Sequence, residues 1–203
     1  MEKLKTTVII IDDDIKIKEG ALFIELRLEF ENVLFFANPV EGLTYIQSNL
    51  DDRMLVLLDL SFPHNNPNGD EVLESIRKLS FLVPVIIWSG VDEDKDVYTS
   101  LINNRAFAYL TKNASSEEII EKLKEANNNT NDDISIALEE WIISHSEEQK
   151  EKPYMYTIDG KQLSLNDILN EIRLQSDIGK AFSKNLSKLT IDLLTRNKEK
   201  FDD

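Results

Sequence analysis

Leu55-Val56-Leu57-Leu58-Asp59-Leu60-Ser61 sets five apolar residues around a single carboxylate. A continuous apolar run of this length fits a strand buried on both faces, as in a parallel sheet. Asp59 falls where that strand ends, and in open α/β sheets the C-terminal strand ends carry ligands and chemistry. An isolated aspartate there would simply cap the next loop. The other strand ends of this chain change that reading.

Thr7-Val8-Ile9-Ile10-Ile11 is a second apolar strand, and it runs into Asp12-Asp13-Asp14. Ile17, Ala21, Ile24 and Leu28 follow at helical spacing. Residues 32–36 read as a short strand. Pro39 opens a helix with Val40, Leu43, Ile46 and Leu50. After the Asp59 strand, the polar loop 63–69 leads to a helix bearing Val72, Leu73, Ile76 and Leu79. Residues 84–88 form a fourth strand ending in Ser89-Gly90, and 93–104 a weaker acidic helix. Residues 106–110 form a fifth strand, followed by Thr111-Lys112-Asn113. Ser115 or Ser116 caps a last helix with Ile119, Ile120 and Leu123 behind it. Five strand–helix repeats predict an α/β fold, a five-stranded doubly wound parallel sheet with helices on both faces.

In such a sheet Asp12, Asp13, Asp59, Ser89 and Lys112 lie on one edge and can converge. Clustered carboxylates repel, and they stay ionised together only beside a cation; hard oxygens with room for water suit Mg²⁺. A lysine balances further charge, and a strand-end hydroxyl beside a glycine leaves space for an anion. The set suits an acyl phosphate on Asp59 and the transfer that forms it. Asp14 reads as a helix cap, His64 as a solvated loop residue and Trp88 as packing.

These motifs resemble the receiver domain of two-component response regulators over about residues 5–126. The resemblance implies the flavodoxin-like receiver fold, Mg²⁺ bound by Asp12, Asp13, Asp59 and the Ser61 backbone carbonyl, and phosphorylation of Asp59. Lys112 matches the family lysine. Ser89 sits at the Ser/Thr switch position and Tyr109 at the aromatic one. Two positions depart from the family. Gly69 lies ten residues after Asp59 rather than eight, so the loop carries two more residues. Asn113 replaces the usual cis proline, and a trans bond is expected because a cis non-proline bond costs about 2.5–4 kcal/mol.

The 203 residues, 41% hydrophobic and 30% charged, allow one domain of ordinary size and a smaller second one. The absence of cysteine excludes disulfides and thiolate metal sites. No long apolar run or leader-like segment appears, so a soluble, cytoplasmic chain without membrane contact is expected. The net charge of −15 splits as −10 over residues 1–125 and −5 over 126–203, which opposes non-specific binding to nucleic acid.

Receiver (1–126), linker (127–133) and a small, mostly helical C-terminal module with a short hairpin (134–203) are the expected domains. The polar run 126–133 lacks periodicity. Residues 134–148 read as a helix with Ile134, Leu138, Trp141 and Ile142 on one face, and 149–153 as a charged connection. The flanks of His145 do not resemble a phosphotransfer motif. Tyr154 to Leu163 reads as a hairpin on an Asp-Gly turn. Ser164 caps a helix with Leu165, Ile168, Leu169 and Ile172. After a break, residues 180–196 carry Phe182, Leu186, Leu189 and Leu193.

The expected function is a phosphorylation-controlled switch rather than an enzyme. Phosphoryl would come from a histidine kinase or phosphotransfer protein. Output would pass through a downstream protein or a homodimer, with DNA binding by the C-terminal helices as the alternative. An aspartyl-phosphate phosphohydrolase would need an acid two residues after its nucleophile, where this chain has Ser61.

Overall fold

The computed structural model describes residues 3–63, 66–90, 101, 105–131, 133–157 and 160–196. Of the helix expected over 93–104, Leu101 is the one described residue, helical and buried; His64 lies outside the described residues. The chain divides into two compact units, Met1–Asn131 and Asp132–Asp203.

In the first unit β1 (Leu4–Ile11), β2 (Phe30–Phe36), β3 (Met54–Leu58), β4 (Val85–Ser89) and β5 (Ala108–Thr111) form one sheet. Its order is β2-β1-β3-β4-β5, and every pairing is parallel. The helices are α1 (Ala21–Glu29), α2 (Pro39–Ser48), α3 (Gly69–Leu79) and α4 (Ser116–Asn131). Strand alternation divides the core in two. Val8, Ile10, Leu55, Leu57 and Ile86 pack with Phe23 and Leu26 of α1 and Leu123 of α4. Ile9, Ile11, Val56, Leu58 and Ile87 pack with Ile46 of α2 and with Val72 and Ile76 of α3. β3 is wholly buried, as its apolar run requires.

Three boundaries differ from the sequence expectations. First, α1 begins only at Ala21, after a 3₁₀ turn at Ile15–Glu19 that Asp14 caps. Its buried residues are Leu22, Phe23 and Leu26, whereas Ile24 and Leu28 are exposed. This helix is apolar on most sides, so spacing alone picked the wrong face. Second, β2 begins at Phe30, two residues earlier than expected. Third, α4 continues through the expected linker to Asn131. Asn127 is buried there and its Oδ1 accepts a hydrogen bond from Thr6 Oγ1 at 2.7 Å. A polar sequence therefore remains helical because one of its asparagines is tied to β1.

The second unit comprises α5 (Ile134–Ile143), a short helix α6 (Glu147–Lys150), β6 (Pro153–Tyr156), β7 (Gln162–Ser164), α7 (Leu165–Arg173) and α8 (Asp177–Arg196). The expected helix over 134–148 is thus two pieces, because a Ser146–Gln149 capping box starts a new one. Ile134 and Trp141 are exposed; Ile136, Leu138 and Ile142 are buried. β6 and β7 pair antiparallel. Gly160 takes φ +84 in their turn, the conformation that makes glycine suitable there. Ser164 and Asp167 form a capping box on α7. The α7–α8 turn passes through Gln175 at φ 50, and α8 starts at Asp177, three residues before the expected Lys180.

Candidate functional site

The strand ends bring the sequence-picked residues together. Asp12 follows the last residue of β1 and Asp59 that of β3. Ser89 ends β4, and Lys112 follows β5. Asp12, Asp13 and Asp59 each offer an oxygen within 4.8 Å of the others. Asp12 and Asp59 are buried; Asp13 is exposed and leaves the cluster a side toward solvent. Lys112 Nζ contacts Asp12 Oδ2 and stands 3.5 Å from Asp59 Oδ2. It also lies 4.0 Å from the centroid of the Trp88 ring, so the ring that reads as simple packing in the sequence supports this ammonium.

Backbone amides fix the carboxylates. Asp59 Oδ1 accepts from the amides of Leu60 at 2.7 Å and Ser61 at 3.4 Å, and Asp12 Oδ1 from Asp14 at 3.0 Å. These held oxygens leave Oδ2 of Asp12 and of Asp59 turned toward Lys112. Gly69 closes the floor: a Cβ there would lie 2.1 Å from the Asp59 carbonyl oxygen. The longer loop therefore still returns a glycine against the Asp59 backbone. The Lys112–Asn113 bond is trans, since the described residues contain no cis peptide.

Burial holds the Asp12 carboxyl above the usual carboxylate range, with the Asp59 charge adding to the rise. Its bond to Lys112 pulls the other way without cancelling it. A carboxyl in this state gains from a further cation. Ser89 Oγ is buried with no hydrogen-bond partner among the described residues, beside the small Gly90. An unpaired buried hydroxyl at a cation-ready cluster suits an incoming oxyanion. Three hard oxygen donors with one open side fit Mg²⁺ better than a softer metal. Tyr109 is half-buried in β5, opposite Ile87 in the ladder. Asp12, Asp13, Asp59, Ser89 and Lys112 are thus gathered at the strand ends, and Tyr109 stands in β5 packed against the core that holds Leu58 and Ile87.

Sequence reasoning missed the Trp88–Lys112 contact and the amides that hold Asp12 and Asp59. Only the position of Trp88, immediately before Ser89, signalled the first. Nothing in residue identity signals a backbone amide.

The family model "Response regulator receiver domain" matches residues 8–124. The nitrate/nitrite response regulator protein NarL of Escherichia coli K12 is 29% identical over 121 residues, covering 59% of this chain and 54% of NarL. The chain thus spans about half the length of this curated relative. A CheY-like receiver domain protein from Methanospirillum hungatei is 26% identical with a TM-score of 0.56, over 63% of this chain and 98% of that one. A DNA-binding response regulator of the LuxR family from Staphylococcus aureus is 26% identical with a TM-score of 0.53, over 61% of this chain and 99% of that one. No helix among the described residues is long and apolar enough to cross a membrane.

Proposed function

The chain belongs to the response regulator receiver family, being matched over residues 8–124, and on that premise we propose that Asp59 is a phosphoacceptor controlling the second unit. The observation that carries this is the meeting of three carboxylates with Lys112 3.5 Å from Asp59 Oδ2. Asp12, Asp13 and Asp59, with the Ser61 carbonyl, would hold Mg²⁺. When bound, the ion neutralises the carboxylates and the charge on the transferring group. The Asp59 carboxylate attacks phosphorus, an O–P bond forms, and the bond to the donor breaks with its electron pair leaving on the donor. Lys112 then pairs with a phosphoryl oxygen, and the Ser89 hydroxyl, which has no acceptor among the described residues, gains one. Ser89 and Tyr109 form the switch: their changed hydrogen bonding biases the surface around β5.

The donor is a histidine kinase or a phosphotransfer protein. Ile15, Ile24 and Leu28 are exposed, and Glu25, Glu29, Glu117 and Glu121 line a groove between α1 and α4. That surface favours a donor helix with apolar and basic side chains. The protein works inside the cytoplasm as a phosphoprotein switch, with turnover limited to gain and loss of its own phosphoryl group. The test is intact-mass measurement after exposure to a small acyl phosphate. A gain of one phosphoryl group that requires Mg²⁺ and disappears in Asp59→Asn is expected. A chain that stays unmodified while binding Mg²⁺ would contradict it.

Asp13→Asn separates the ligand role from the fold. It should abolish millimolar Mg²⁺ binding in calorimetry while raising the metal-free melting temperature, because it relieves carboxylate repulsion. Unchanged metal affinity would remove Asp13 from the ligand set.

Residues 134–203 act by protein contact in this reading. DNA binding is a second reading, favoured by one observation: α7 and α8 meet across a three-residue turn, and Lys180, Lys184 and Lys188 are exposed on one face of α8. Changing all three to glutamine should leave duplex DNA binding at low salt equally undetectable in parent and variant. Tight, salt-dependent binding by the parent that the variant loses would establish the DNA reading instead.

A further inference from the structure

Lys112 crosses the end of β4, and three consecutive residues there hold it. Its amide donates to the Ser89 carbonyl at 2.9 Å. Its stem runs over Gly90, where an added Cβ would lie 3.4 Å from Lys112 Cγ and 3.8 Å from Lys112 Cβ. Its ammonium ends 4.0 Å from the centroid of the Trp88 ring. From that position Nζ contacts Asp12 Oδ2 and stands 3.5 Å from Asp59 Oδ2.

The ring is itself fixed from behind. Trp88 is buried in the core that holds Leu110 of β5 and Ile119 and Leu123 of α4. The residues of β1, β3 and β4 in that core, Val8, Ile10, Leu55, Leu57 and Ile86, are all aliphatic. Trp88 Nε1 is buried with no hydrogen-bond partner among the described residues. An aliphatic side chain would fill this place without burying an unpaired donor. What the indole adds over such a chain is a π-face turned to the ammonium.

We propose, on the reading of Asp59 as the phosphoacceptor, that Trp88 is a positioning residue for the transfer: its ring holds the Lys112 ammonium in front of Asp59 Oδ2. A phosphoryl oxygen arriving there meets the cation already in place. Asp12 alone does not achieve this. An ammonium is a point charge on a flexible stem, and one partner leaves it free to swing about Asp12 Oδ2. The Lys112 side chain is 27% exposed, so water is open to it on that swing. The ring closes a second side. Trp88 acts through Lys112 and has no part of its own in the bond changes.

The test compares Trp88→Leu, which keeps an apolar side chain without a face, with Trp88→Phe, which keeps a smaller face. Both remove core volume, so urea unfolding should show both destabilised. Phosphorylation of the folded full chain by a small acyl phosphate with Mg²⁺, followed by intact mass, should slow by about ten- to a hundredfold in Trp88→Leu and by no more than about threefold in Trp88→Phe. A second readout needs neither phosphoryl group nor metal. The ε-methylene NMR signal of Lys112, assigned by its loss in Lys112→Ala, should be shifted upfield by the ring in the parent and in Trp88→Phe. In Trp88→Leu it should fall among the other lysines. Equal rates in the parent and Trp88→Leu, equal slowing in both variants, or a parent Lys112 signal among the other lysines would each overturn the role of the ring while leaving phosphorylation of Asp59 in place. A parent that takes no phosphoryl group at all would overturn the Asp59 reading, and the role of the ring with it.

Discussion

Gly69→Ala should destabilise the receiver by about 1–3 kcal/mol, the range for overpacking a filled site. Alanine is the better helix former, by up to about 1 kcal/mol, and Gly69 opens α3, so propensity alone would favour the change. Contact decides the sign. The new Cβ would stand 2.1 Å from the Asp59 carbonyl oxygen and 2.6 Å from Leu60 Cα. Both are backbone atoms, of Asp59 and of the residue after it, and the Gly69 amide itself donates to the Leu60 carbonyl at 3.0 Å. Relief requires α3 to move away from the end of β3, which displaces Asp59 from Lys112. Mg²⁺ affinity should therefore fall together with stability in urea unfolding. A stability equal to or above that of the parent would show that the loop holding Gly69 yields easily.

The largest effect in the second unit is expected from Glu139→Ala. Glu139 on α5 accepts from Arg173 Nε at 2.5 Å, and both side chains are largely buried, at 14% and 8% exposure. Removing one partner of a buried ion pair costs about 3–5 kcal/mol, because the remaining charge keeps its desolvation cost and loses its compensation. Glu139→Leu with Arg173→Met should recover most of that loss, since apolar replacement of the whole pair avoids burying charge. Urea unfolding followed by Trp141 in a Trp88→Phe background measures this unit. A single-variant loss below about 1 kcal/mol, the median for exposed pairs, would show that the pair is solvated in practice.

The sheet was legible in the sequence because β1, β3 and β4 are buried on both faces, which makes their composition nearly uniform. The strand-end residues were legible for the same reason, as each follows an unmistakable apolar run. Helix faces were harder to read. α1 is apolar on most sides, so its buried set could not be chosen by spacing, and Ile24 and Leu28 proved exposed. The continuation of α4 to Asn131 depends on the hydrogen bond from Thr6 to Asn127, a contact between residues 121 positions apart. Periodicity has no access to such a pair. The capping boxes at Ser146 and Ser164 show the reverse case: both motifs are local, but the first was passed over inside a longer apolar pattern.

The site followed the same division. Asp12, Asp13, Asp59, Ser89 and Lys112 were found from residue type and position. The amides of Asp14, Leu60 and Ser61 that orient the carboxylates carry no side-chain signature, and neither does the lack of a partner for Ser89 Oγ among the described residues.

Location of the phosphoryl group within the chain is the decisive measurement. After brief reaction with a small acyl phosphate and Mg²⁺, borohydride reduction converts an aspartyl phosphate to homoserine, and peptide mass spectrometry then identifies the residue. Conversion at Asp59, dependent on Mg²⁺ and lost in Lys112→Ala, is expected. Conversion at Asp12 or Asp13 instead, or none in a protein that binds Mg²⁺, would contradict Asp59 as the acceptor.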